Sequence, residues 1–131
     1  MNDCLFCRII NGKIPSTKIW EDEHFFAFLD IKPINPGHTL LIPKTHINNV
    51  FELDETLYIG LFKTAKKLSI PIQKAMNSKR VGIAVEGFLV PHAHIHIVPL
   101  HKGGELNLER ARHASSEELL EVVEKIKAEI K

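Results

Sequence analysis

The hydrophobic positions of the chain change their spacing several times, and each spacing predicts a different element. Five short apolar runs have the length and the β-branched or aromatic content of strands: IW, FFAFL, TLLIP, VGIAVE and the run at residues 91–100. The polar EDEH between the first two runs indicates a hairpin, and the last two runs are expected to pair antiparallel. The pattern therefore predicts an antiparallel sheet of about five strands.

Two other stretches repeat their apolar residues at helical spacing. The first follows Asp54 and has lysines on its opposite side; its apolar positions are Leu57, Leu61, Ala65, Leu68 and Ile72. The second is the C-terminal SSEELLEVVEKIKAEIK, where Ser115 stands three residues before Glu118, the spacing of a capping box. Together with the strands, a central and a C-terminal helix define an α+β fold.

The composition limits the number of domains and the kinds of partner. The chain has 131 residues, of which 44% are hydrophobic, so a single domain over residues 1–131 is expected. Its 17 basic and 16 acidic residues nearly cancel, which does not favour binding to nucleic acid or to an anionic membrane. No apolar stretch approaches the ~20 residues of a membrane span, and MNDCLFCRIINGK lacks the pattern of a signal peptide. A cytoplasmic location is therefore expected.

Three histidines alternate with apolar residues in PHAHIHIVPL, residues 91–100. Successive side chains of a strand point to opposite faces, so His92, His94 and His96 are expected to share one face. Such imidazoles can converge on one metal ion. Alternatively, the middle imidazole is a nucleophile and a neighbour binds the charged electrophile. The sequence offers no carboxylate beside the three histidines to serve as a general base, which slightly favours the nucleophile.

The two cysteines of the chain, Cys4 and Cys7, have the spacing C-x-x-C. In a reducing compartment this spacing indicates either half of a metal site or a redox pair. Both interpretations require further residues.

The run from His92 to Val98 resembles the signature H-x-H-x-H of the histidine-triad (HIT) family of nucleotide hydrolases and transferases. LFCRIINGKIPS and EDEHFFAFLDIKPINPGHTLLIPKTHI are similar to the Hint-like branch of that family. The resemblance covers roughly residues 3–100. The C-terminal extension at residues 101–131 lies outside it and is expected to pack on the domain or to form a dimer contact.

The resemblance implies a HIT-like fold, a homodimer and an enzyme without an organic cofactor. Its substrates would be purine nucleotide derivatives attacked at the α-phosphate, such as nucleoside phosphoramidates or dinucleoside polyphosphates. His94 would be the nucleophile and form a nucleotidyl-imidazole intermediate. His96 would contact the phosphate oxygens or assist the leaving group.

Further roles are implied residue by residue. Asp30 would bind the ribose hydroxyls, and His38 would orient a ring of the triad. Base and ribose would be bordered by five apolar residues, for each of which core packing is the alternative: Leu5, Phe6, Ile9, Phe28 and Ile31. Structural zinc would be held by Cys4, Cys7, His46 and His92, the alternative being two unliganded thiols.

One stretch departs from the family pattern. Val85 stands where an Asn is expected, and the loop before the triad, GFLVP, is shorter and apolar. Lost side-chain donors weaken the binding of ribose and phosphate. A nucleotide-binding regulatory protein with little turnover therefore stays open as an alternative. A hydrolase with a metal ion on the triad is a further alternative, because the three imidazoles could converge on one ion.

Overall fold

The computed structural model describes residues 3–130, and its framework is a five-stranded antiparallel sheet. The strands are β1 (Lys18–Glu21), β2 (Phe25–Leu29), β3 (Thr39–Pro43), β4 (Arg80–Ala84) and β5 (Ile95–Leu100). Their order in the sheet is β1-β2-β3-β5-β4, so the last strand of the chain lies between β3 and β4. The predicted α+β fold is confirmed.

Three α-helices accompany the sheet within residues 3–130: α1 (Leu5–Ile10), α2 (Glu55–Met76) and α3 (Ser116–Glu129). The periodicity that predicted α2 is confirmed, because Leu61, Ala65, Leu68 and Ile72 are all buried. Helix α3 begins with the predicted capping box, in which the Ser115 side chain and the third residue of the helix satisfy each other's backbone amides. Helix α1 was not predicted.

The two faces of the sheet pack against different helices. Phe25, Ala27 and Leu29 of β2 belong to the larger core, which contains the buried apolar residues of α2 and α3. Phe26 and Phe28 belong to a second hydrophobic cluster with residues of α1, here named the α1 cluster. Strand β5 is divided in the same way: Ile95 and Ile97 lie in the larger core. His96 pairs with Leu40 of the α1 cluster, so its side chain lies on the α1 side, where cross-strand partners share a face.

The connection from β2 to β3, residues 30–38, is tied to the C-terminal part of the chain. The amides of Arg112 and Ala114 donate to the carbonyls of Pro33 and Ile31, at 3.2 and 2.9 Å. Gly37 turns the chain with a φ of 95°, and a Cβ at this position would lie 2.6 Å from the Met76 side chain. Both the left-handed backbone and the close approach therefore require glycine at this turn.

No helix within residues 3–130 combines the length and the apolar character needed to cross a membrane.

Candidate active site and metal cluster

The three histidines of the triad lie together, but the predicted strand was too long. Strand β5 begins at Ile95, so His92 and His94 precede it, in a segment whose Ala93 amide bonds the Ile47 carbonyl instead of a neighbouring strand. The rings of His94 and His96 nevertheless contact each other, with centroids 5.1 Å apart. An alternating pattern predicts extended backbone, and it does not show where strand pairing begins.

The surroundings of His94 determine which of its nitrogens is free. Its Nδ1 lies 2.7 Å from the backbone oxygen of His92. A carbonyl oxygen only accepts, so Nδ1 carries the proton of the neutral ring and Nε2 keeps a lone pair. The ring of Phe6 packs edge-on against His94 with centroids 5.1 Å apart. His94 is therefore a buried imidazole held in the tautomer that a nucleophile at Nε2 requires.

His96 has the opposite tautomer, and His38 is the reason. The Ile34 amide donates to His38 Nδ1 at 2.9 Å, so the proton of the neutral His38 ring is on Nε2. That nitrogen lies 2.9 Å from His96 Nδ1, which must accept, so the proton of His96 is on its Nε2. Burial lowers the pKa of both rings to about 4, so both are neutral at pH 7. His96 thus presents an N–H donor beside the lone pair of His94.

Asp30 lies next to this pair of imidazoles. Its Oδ1 accepts a hydrogen bond from the Lys32 amide at 2.9 Å, and its Oδ2 lies 3.6 Å from His38 Nε2. Burial raises the pKa of the Asp30 carboxyl above its usual value. Asp30, His38 and His96 could also be regarded as a metal site. However, the 2.9 Å between the His38 and His96 nitrogens is a hydrogen-bond distance, shorter than the about 3.3 Å between nitrogens on a tetrahedral zinc ion.

A second cluster brings together the two cysteines and two histidines. The ligand atoms of Cys4, Cys7, His46 and His92 all lie within 4.8 Å of one another. His92 Nδ1 is 3.3 Å from Cys4 Sγ and from His46 Nδ1, and 3.6 Å from Cys7 Sγ. The helix α1 carries Cys7 and is capped by Cys4, so this short helix brings both sulfurs to the triad.

The donor atoms of this cluster fit a tetrahedral zinc ion. Bonds of ~2.3 Å to sulfur and ~2.0 Å to nitrogen place neighbouring ligand atoms about 3.3 to 3.8 Å apart, close to the distances found. His92 Nε2 lies 2.8 Å from the Pro43 carbonyl, so Nε2 carries the proton and Nδ1 faces the cluster as a free ligand, as in known metal sites. Burial also lowers the pKa of His92, which keeps the ligand neutral.

The five apolar residues expected to border the nucleotide divide into two groups. Phe6, Ile9 and Phe28 are buried in the α1 cluster, where Phe6 and Phe28 pack edge to face at 5.5 Å. Leu5 and Ile31 are 43% and 56% exposed. Core packing therefore accounts for the three buried residues, although Phe6 also touches His94.

The loop between β4 and the triad is open to solvent. Phe88 and Leu89 are 89% and 95% exposed, and Val85 is 37% exposed. Val90, at the end of the loop, packs against the α1 cluster. The apolar character noted in the sequence therefore belongs to a surface loop that leads directly to His92.

The fold and the grouped imidazoles define a histidine-triad protein, and comparison with known proteins agrees. The family described as the HIT domain matches residues 11–103, and the chain belongs to this family. The matched range contains the triad, Asp30, His38 and His46, whereas Cys4 and Cys7 precede it.

Three relatives illustrate the similarity. "Protein hit" of Bacillus subtilis is 42% identical over 108 residues, which cover 79% of this chain and 74% of that protein. Adenylylsulfatase HINT3 of Arabidopsis thaliana is 35% identical over 75% of this chain and 52% of its own length. Adenosine 5'-monophosphoramidase hnt1 of Schizosaccharomyces pombe is 34% identical over 73% of each chain. The family and these names support a hydrolase.

Two solved structures cover nearly the whole chain. A Hit-like protein involved in cell-cycle regulation from Bartonella henselae has a TM-score of 0.87 and 30% identity, with 98% of both chains covered. A zinc-bound histidine triad family protein from Mycobacterium smegmatis has a TM-score of 0.85 and 29% identity, with 98% of this chain and 94% of that chain covered.

Proposed function

We propose that this protein hydrolyses purine nucleotide derivatives at the α-phosphate through a nucleotidyl intermediate on His94, with nucleoside phosphoramidates or dinucleoside polyphosphates as substrates. The observation that carries the proposal is the hydrogen bonding of two imidazoles whose centroids are 5.1 Å apart. It implies opposite tautomers, with a lone pair on His94 Nε2 and an N–H on His96 Nε2. The names of two relatives, an adenylylsulfatase and a monophosphoramidase, support the same class of substrate.

In the first step, the lone pair of His94 Nε2 forms a bond to the α-phosphorus, and the bond to the leaving group breaks. The electron pair of that bond stays with the leaving atom, which takes a proton from water. His96 donates a hydrogen bond to a phosphate oxygen or to the leaving atom and keeps its own proton. The positive charge that develops on His94 is stabilised by the His92 carbonyl, which accepts from Nδ1 at 2.7 Å.

In the second step, water attacks the phosphorus and the bond to nitrogen breaks. The electron pair returns to His94 Nε2, and the proton of the attacking water is released to solvent. The starting tautomer is thereby restored. A neutral imidazole suits both steps, because it is a nucleophile near pH 7 and also a good leaving group from phosphorus.

Asp30 and the apolar residues of α1 and β2 complete the proposed nucleotide site. A carboxylate can accept from both ribose hydroxyls, and Asp30 lies within 3.6 Å of His38, beside the imidazoles. The exposed Leu5 and Ile31 would contact the base and ribose directly, and the buried Phe6, Ile9 and Phe28 would form the apolar floor beneath them.

The proposal includes one structural zinc ion, held by Cys4, Cys7, His46 and His92. Four protein ligands leave no open position for substrate or water, so the ion stabilises structure and takes no part in turnover. It would join α1, and therefore Phe6, to the start of the triad. The zinc-bound Mycobacterium smegmatis relative supports the choice of metal.

We also retain a single domain, a homodimer and a cytoplasmic location as parts of the proposal. The resemblance to the Hint-like branch carries the dimer, and reduced cysteine ligands require a reducing compartment. Light scattering of the purified protein tests the dimer.

The decisive experiment compares wild type with His94→Ala, using adenosine phosphoramidate and a dinucleoside polyphosphate as substrates. We expect His94→Ala to lose nearly all turnover while nucleotide binding and the fold persist. Wild-type protein quenched under alkaline denaturing conditions should carry a nucleotide-mass adduct on the peptide with His94. His24→Ala, at an exposed histidine, is the matched control. Full activity of His94→Ala would exclude this nucleophile.

The apolar loop favours a second candidate, a nucleotide-binding protein with little turnover. The side chain of Val85 can supply no hydrogen bond to a ribose or a phosphate. In that case wild type binds nucleoside monophosphate but forms neither product nor adduct in the same assay. The other alternative, a metal ion on the triad, would require His92 to leave the cysteine cluster, and mild chelation would then abolish activity without unfolding.

A further inference from the structure

Two buried polar side chains outside the triad, Asn35 and Glu105, bond each other across the fold. They are 9% and 7% exposed, and Asn35 Nδ2 donates to Glu105 Oε1 at 3.2 Å. The same carboxylate oxygen accepts from the amides of His101 and Lys102, at 2.6 and 3.2 Å. These hydrogen bonds, the His101 amide first, hold the pKa of Glu105 below its usual value, so an ionised acceptor holds the Asn35 amide.

The second proton of the Asn35 amide reaches the strand that carries His96. Asn35 Nδ2 donates to the Pro99 carbonyl at 2.8 Å, and Pro99 lies in β5, three residues after His96. A side-chain amide with two acceptors in fixed places has little rotational freedom. Asn35 therefore fastens the connection between β2 and β3 to the end of β5.

The same residue belongs to the turn that holds His38. The backbone oxygen of Asn35 accepts from the His38 amide at 3.1 Å, and the preceding residue, Ile34, donates to His38 Nδ1 at 2.9 Å. The place of the Ile34 amide decides which nitrogen of His38 is protonated. The distance from this turn to β5 decides whether His38 can reach His96.

We propose that Asn35 and Glu105 are positioning residues that hold the turn at residues 34–38 against β5 and thereby fix the tautomers of His38 and His96. Neither side chain needs to touch substrate for this role. The consequence for turnover rests on the proposed function, whereas the consequence for the tautomers does not. A purely structural pair would change stability and leave the tautomers unchanged.

The test uses protein labelled with ¹⁵N in its histidines, because the ring nitrogen shifts report each tautomer in solution. In wild type we expect protons on Nε2 of His38 and of His96. In Asn35→Ala, both rings should become mixtures of tautomers, and kcat should fall about 10- to 100-fold, the cost of a misplacement near 1 Å. KM should stay within about twofold, because no substrate contact is removed.

Gln73→Ala is the matched control. Its side-chain amide also donates to two acceptors, in this case the backbone carbonyls of Ser78 and Lys79, at 3.3 and 3.0 Å, but it lies away from the triad. This variant should lose stability without changing the tautomers or kcat. If Asn35→Ala does not fold, Glu105→Gln, which keeps the shape and loses the charge, should give a smaller change of the same kind.

Unchanged tautomers in a folded Asn35→Ala or Glu105→Gln protein would overturn the proposal. The result of this test can be distinguished from the result of the test of the proposed function. If His94→Ala keeps its activity while Asn35→Ala alters the tautomers, the positioning role stands and the nucleophile does not. If His94→Ala is inactive and the tautomers resist both substitutions, the reverse holds.

Discussion

At the scale of single residues, backbone groups decide the chemistry of the imidazoles. The carbonyl of His92 places the proton of His94 on Nδ1, and the amide of Ile34 places the proton of His38 on Nε2. His96 then takes its tautomer from His38. The sequence motif supplies the imidazoles. Their opposite tautomers depend on the positions of backbone groups, and many different side chains would be compatible with those positions.

Val85 provides a prediction at this scale. Val85→Asn should tighten the binding of a nucleoside monophosphate by about 1 kcal/mol, or about fivefold, if the amide gains one neutral hydrogen bond. The position follows β4 and is 37% exposed, so the polar side chain can reach solvent and a ligand. Isothermal titration calorimetry of both forms measures the change.

Ile83→Asn is the control for this substitution, because Ile83 has nearly the same exposure, 39%. The control should leave the affinity unchanged. Equal affinities of wild type and Val85→Asn would place residue 85 away from the ligand.

At the scale of elements, α1 depends on tertiary contacts. A helix of six residues is far below the ~12–15 residues at which isolated helices become stable in water. Its support comes from the Cys4 side chain, which accepts from the Cys7 amide at 3.4 Å, and from the burial of Phe6 and Ile9. A metal ion on both cysteines would add the strongest link between α1 and the sheet.

Cys4→Ser tests that link. We expect about one zinc per chain in wild type purified without chelator, and loss of zinc from the variant. The free energy of unfolding should fall by several kcal/mol, because binding energy of a structural ion is folding energy. The rate per folded molecule, calibrated by trapped adduct, should fall much less.

Urea unfolding with metal analysis measures both quantities, and chelated wild type should resemble the variant. Zinc retained after replacement of both cysteines would contradict the assignment of the ligands. If chelation removes the zinc from wild type without changing its stability, the structural role of the ion is contradicted.

The sequence predicted long elements better than short ones, for physical reasons. The apolar residues that recur once per turn of α2 and the capping box of α3 are local sequence patterns. Both helices could therefore be predicted. Helix α1 has too few residues to show a helical period. The start of β5 depends on the partner of the Ala93 amide, which is the carbonyl of Ile47 and not a neighbouring strand. Partners in distant parts of the chain leave no local pattern.

The candidate site divides in the same way. Spacing alone indicated the triad and the two cysteines, whereas the resemblance to a known family added His38 and the complete set of metal ligands. The structure places these residues in two adjoining clusters. Asn35 and Glu105 were not predicted, because they are 70 positions apart and meet only through folding. The motif PGH could have indicated the turn that brings the Ile34 amide to His38.

At the scale of the whole molecule, the buried imidazoles make stability depend on pH. His38 and His96 have an ordinary pKa of 6.5, which burial lowers to about 4 in the folded protein. Between these values the unfolded chain binds more protons, so the free energy of unfolding should fall as pH falls from 6.5. The slope is about 1.4 kcal/mol per pH unit for each group.

His38→Asn tests this effect, because it removes one of the two imidazoles while the metal ligands and carboxylates are common to both proteins. Urea unfolding between pH 6.5 and 5 should show a shallower slope in the variant by about 1.4 kcal/mol per pH unit. Burial raises the pKa of Asp30 from 3.8, so Asp30 contributes to the slope with the opposite sign, and it does so in both proteins. His24→Asn should keep the wild-type slope. Equal slopes in all three proteins would contradict a low pKa for His38.

The order of the strands has a consequence for biosynthesis. Strand β3 ends at Pro43 and its neighbour β5 begins at Ile95, so the ribosome must add about 50 residues before β3 gains that partner. At ~5–20 residues per second this takes about 3 to 10 s. During this interval the nascent hairpin of β2 and β3 exposes an unpaired apolar edge, the kind of surface that chaperones bind and that drives aggregation. The strand that carries His96 is thus also the strand that ends this vulnerable period.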